Sequence, residues 1–116
     1  MGTAQVLVTS IAIAANGFSG IAALLRFKAI LPGMAKAGVP QSWLIFPIGT
    51  AKTAGASGLL AGLVWPPIGI AAAAGLVLFF VCAVYTHVLA RDYSAQFGLA
   101  IGFLALNSVT LAVALS

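Results

Sequence analysis

Four predominantly apolar stretches, Thr3 to Leu25, Ser42 to Val64, Ile68 to Leu89 and Ala95 to Leu115, leave this chain little choice of solvent. A helix needs about 20 such residues to cross a hydrocarbon core roughly 30 Å thick. Each stretch has that length, none shows period-2 alternation, and all are rich in Ala and Leu, so they read as helices rather than barrel strands of about ten residues. In a helix every backbone polar group is satisfied within its own segment, which lipid requires. Only 5% of the residues are charged, against about 25% in soluble domains, so a water-facing surface has nothing to be built from. The expectation is an all-α integral membrane protein: one domain over residues 1–116, folded as an antiparallel bundle of four transmembrane helices in the lipid bilayer.

The connections refine this picture. Arg26 to Gln41 carries three cations, two prolines and two glycines among Phe27, Ile30, Leu31 and Met34, a mixture suited to a short segment lying along the headgroups. Trp65-Pro66-Pro67 reads as a tight hairpin, since paired prolines cannot continue a helix and tryptophan favours the interface. Ala90 to Ser94 is a short polar break. Pro47 falls early in the second stretch, so that helix either starts late or kinks there. Arg26, Lys28, Lys36 and Arg91 all lie in the first and third connections, which the positive-inside rule assigns to the cytoplasm, leaving both termini outside a bacterial plasma membrane. Met1 to Gln5 has no basic residue to begin a signal peptide, so the first stretch is read as a retained helix.

Apolar burial does little to associate helices in lipid; small residues that let backbones approach do more. Ala51, Gly55, Gly58 and Gly62 recur at spacings of four, three and four, one stripe along the second helix. The stripe suits either packing within the bundle or docking against a helix of another protein.

Polar residues inside the spans are few enough to single out. Lys52, well inside the second stretch, costs about 2.5–3.5 kcal/mol at mid-membrane on insertion scales, so it needs a partner, water or a route to the interface. The chain's single acid, Asp92, is expected at the surface. Asn16 and Asn107 sit at similar depths in the first and fourth spans, and their amide oxygens are candidate acceptors for the Lys52 ammonium. Three roles are open to this cluster: glue for the bundle, a site for a lipid or quinone headgroup, or a contact with an acid on another subunit. His87, beside Tyr85 and Thr86, lies four residues before Arg91 and on its face, as an interfacial packing residue or a quinone-contacting one.

Other chemistries are excluded by count or pattern. One cysteine, Cys82, permits no internal disulfide, and one histidine without nearby acidic or thiol ligands makes no protein-only metal site. The net charge of +4 is spread between spans rather than gathered into a nucleic-acid patch. Phosphate-loop, dinucleotide and serine-nucleophile motifs are missing.

Gly49-x-x-Lys52-x-x-Gly55-x-x-Gly58-Leu59-Leu60-x-Gly62, then Pro66-Pro67-x-Gly69-Ile70-Ala71-Ala72-Ala73-Ala74-Gly75-Leu76 and Ala83-Val84-Tyr85-Thr86-His87, resemble the DoxX-like family of small four-helix bacterial membrane proteins. Many relatives carry an acid where this chain has Lys52, so a role built on that carboxylate does not transfer. The resemblance implies the fold and, through a family name tied to thiosulfate oxidation by quinone, a link to redox complexes. The expected function is a non-catalytic accessory subunit of a larger plasma-membrane complex, such as a lipid or solute transporter, with no cofactor beyond a bound lipid or quinone. The alternative is the membrane anchor or quinone-facing subunit of an oxidoreductase.

Overall fold

The computed structural model describes residues 2–25, 34–35, 38–40, 43 and 45–116. Four α-helices carry the fold: α1 (Thr3–Leu24), α2 (Thr50–Gly62), α3 (Pro66–Leu89) and α4 (Ala95–Leu115). α1, α3 and α4 are each long and apolar enough to cross a membrane. α2 is preceded by one wide turn, Ile45–Gly49, in which Phe46 is extended (φ −140°, ψ 128°).

The second stretch is therefore shorter as regular helix than the expected 42–64. Its 13 residues rise about 20 Å at 1.5 Å per residue. Pro47 is the reason: its ring excludes the backbone of an α-helix interior and its missing N–H leaves nothing to donate. At the other hairpin the expectation also shifts. Pro66 and Pro67 do not stand outside the helix but open α3 as its first residues, where backbone N–H groups have no intrahelical partner to lose and the fixed φ already suits a helix. Arg26, Lys28 and Lys36, three of the four cations on which the orientation rests, lie outside the described residues.

α1 packs on α2, α2 on α3, α3 on α4, and α4 closes back on α1. Neighbours in sequence run antiparallel. Down the α2–α3 seam Gly62 abuts Gly69, Gly58 abuts Ala72 and Gly55 abuts Leu76, one number falling as the other rises. A Cβ on Gly62 would enter the backbone of Gly69, so the two helices approach there as closely as their main chains permit. Gly20 likewise lies on the backbone of Thr53 where α1 crosses α2. Thus Gly55, Gly58 and Gly62 face into the bundle against α3, and Ala51 is half-buried. The apolar centre is Ala12, Leu59, Ala73, Leu76, Phe80 and Ala100, small residues alternating with large ones so that facing layers interlock.

Outward, the bundle exposes Phe18, Ile21, Leu60, Val64, Leu78, Leu99 and Val109. A surface of that kind is stable against hydrocarbon and unstable against water.

Candidate functional site

Two polar clusters form inside the bundle, and they differ in what they leave available. Asn16 on α1 and Asn107 on α4 are both fully buried. Asn16 Nδ2 donates to Asn107 Oδ1 at 2.8 Å, and Asn107 Nδ2 returns a bond to Asn16 Oδ1 at 3.3 Å. Each amide also donates to the carbonyl one turn earlier on its own helix, Ala12 and Phe103 respectively. All four amide hydrogens are thereby used, which suits a clasp between helices and leaves no donor for a guest.

Lys52 stands apart from that pair. Its Nζ donates to Ser19 Oγ at 2.9 Å, so the expectation that Asn16 and Asn107 accept its hydrogens does not describe the geometry: the two amides face one another. The ammonium lies over Phe79, Phe80 and Phe103, 5.9, 5.4 and 5.8 Å from their ring centroids. Phe80 and Phe103 are themselves stacked, with centroids 5.0 Å apart. The negative faces of the rings attract a cation at this range. Lys52 occupies the first turn of α2, yet the rings beneath it place it opposite the middle of α3 and α4.

The same ammonium forms part of the wall of a cavity of about 520 Å³, which falls in the range of small-molecule sites. Trp43, Met34 and Val39 line it on one side, Leu78, Phe79 and Ala83 on α3 and Leu99 and Phe103 on α4 on the other. Thr86, His87 and Gln96 stand at one end, about 10 Å along α3 from Phe80. The lining is apolar with a few converging polar groups.

His87 owes its position to the way α3 ends. Arg91 takes the left-handed conformation (φ 54°), and the chain folds back so that Asp92 N–H donates to His87 O and Arg91 N–H to Val88 O, the paired closure of a Schellman turn. That turn sets the Asp92 carboxylate against the ring, with Nδ1 and Oδ2 2.9 Å apart. Asp92 is therefore buried and paired with His87, not free at the surface as its place in a connection suggests. Burial alone would push the Asp92 carboxyl up, but hydrogen bonds from Ser94 and His87 prevail and hold it below its ordinary value.

Of the residues singled out from sequence, Lys52 and His87 share the cavity, Asn16 and Asn107 form the clasp, and Tyr85 is exposed on the outer face of α3. Sequence reasoning missed Ser19, Trp43, Gln96 and the three phenylalanines. The aromatic pair at 79–80 was visible, but only pairing α3 with α4 brings Phe103 to it. Among the described residues no three metal-ligating side chains converge.

No curated protein and no solved structure matches the chain. The family model described as the DoxX-like family matches residues 7–114, which takes in all but the ends of the first and last helices and includes the Lys52 cavity and the asparagine clasp. The chain belongs to the DoxX-like family.

Proposed function

We propose that the chain is a non-catalytic membrane subunit that holds an amphiphilic molecule in the Lys52 cavity and, with it, stabilises or regulates a larger bacterial plasma-membrane complex such as a lipid or solute transporter. The observation that carries this reading is a half-buried lysine ammonium with no carboxylate partner, set against three aromatic rings at the wall of an apolar cavity. In this reading all four helices cross the bilayer, the turn Ile45–Gly49 extending the roughly 20 Å rise of α2, with both termini outside the cell.

A second reading, a quinone-facing subunit of an oxidoreductase, draws support from His87. With Nδ1 held by a carboxylate, the other ring nitrogen is left for a guest, and His87 lines the cavity that Lys52 lines.

Purification of the tagged chain in mild detergent at native expression, with mass spectrometry of co-eluting proteins and extractable lipids, tests both. Stoichiometric recovery of a transporter with a bound amphiphile is expected, and both are expected to be reduced in Lys52→Leu. Recovery of a flavin or iron–sulfur protein would favour the second reading. A chain eluting without partner or lipid would overturn the first.

A further inference from the structure

We propose that the Lys52 cavity is a binding site for a long-chain carboxylate, with the carboxylate head on the Lys52 ammonium and the alkyl chain along the apolar lining. This rests on the reading that the cavity holds an amphiphile and assigns the chemistry of that amphiphile's head.

Charge carries the inference first. The chain has one acidic side chain, Asp92, and it is committed to His87. Lys52 has three hydrogens to donate, and Ser19 takes one. The rings of Phe79, Phe80 and Phe103 attract the charge but do not neutralise it. In surroundings of low dielectric an anion within about 4 Å of an ammonium is held far more strongly than in water, and a neutral carbonyl would leave the charge uncompensated.

Depth and size then select the head. The ammonium faces the middle of α3 and α4, so the head it binds must reach the interior of the bundle. A phosphodiester carries the same single charge but brings a glycerol and two chains, whereas a carboxylate is a smaller head on one chain, the better match to a single lysine in a cavity of about 520 Å³. Leu78, Ala83, Leu99 and Val39 offer the chain an apolar wall, and Met34 adapts to its shape.

Trp43 lines the cavity and Trp65 lies at the remote hairpin, so a Trp65→Phe protein reports from Trp43 alone. In phosphatidylcholine nanodiscs at about pH 7, where the carboxyl is ionised, a brominated stearic acid should quench Trp43 saturably and bind on the order of tenfold more tightly than its methyl ester. Lys52→Met should erase that preference while still binding the ester, which also shows that the variant is folded, and Lys52→Arg should keep it. Equal binding of acid and ester by the Trp65→Phe protein would overturn the carboxylate assignment and leave the amphiphile reading standing. Tighter quenching by a brominated phosphatidylglycerol would assign the cation to a phosphate head and overturn it likewise. No saturable quenching by any of the three would overturn both.

Discussion

Asn16 and Asn107 show how a polar side chain becomes tolerable in hydrocarbon: two amides meet across α1 and α4 and leave no hydrogen unbonded. Removing one partner strands the other, so the Asn16→Leu/Asn107→Leu double variant should destabilise the bundle by less than the sum of the two single substitutions. The coupling, measured by a double-mutant cycle in detergent, should be about 0.6–1.7 kcal/mol, the span found for hydrogen bonds between membrane helices. At the helix end, Asp92 has a carboxyl pKa below its ordinary value. The stability it contributes is then fully present above the usual carboxylate range and is lost as pH falls through the depressed folded value. Thermal unfolding followed from about pH 6 to pH 2 should show that loss, and Asp92→Asn should remove this component. Sequence marked Lys52, His87 and both asparagines because polar residues in apolar runs are conspicuous, but the asparagine oxygens it offered to Lys52 are turned to each other's amides. Partners were set by helix rotation and by the left-handed Arg91, which a hydropathy pattern does not encode.

α2 and α3 meet through glycine, and that seam tolerates less than any other. Gly62→Val would place a branched side chain into the backbone of Gly69, where neither main chain has room to retreat, and should cost about 3 kcal/mol or prevent assembly. Gly102→Ala, with open space around the glycine, should leave the melting temperature nearly unchanged. The end of α3 offers the opposite sign. Arg91 holds a conformation that costs a non-glycine residue about 1–2 kcal/mol, so Arg91→Gly should raise thermal stability, read as an increase in melting temperature. The helical character of these elements was legible because length, apolarity and the lack of alternation agree. The true start of α2 was only half legible: Pro47 announced an interruption, but not that a wide turn would continue the path on its near side. The prolines at 66–67 were read as a stop and act as a start, since a proline's missing N–H is harmless only in a first turn.

For the molecule as a whole, the composition decided the solvent and the short connections decided the order of neighbours, while the cavity needed all four helices in place and was not legible at all. Orientation is open to a direct check. With Cys82 replaced by Ala, single cysteines at Gly2 and Ser116 should react with a membrane-impermeant thiol reagent in intact cells, and one at Tyr93 only after permeabilisation; the reverse pattern would invert the assignment. The glycine contact between α2 and α3 also bears on traffic through the bundle. Gly62 and Gly69 bring the helices together near one hairpin, whereas the cavity beside Lys52 is walled in part by Trp43, Leu78 and Leu99, which are exposed on the outside of the bundle. A cavity with an exposed wall opens sideways toward lipid: a guest would enter and leave through that wall, and a partner wishing to take it would have to approach from that side.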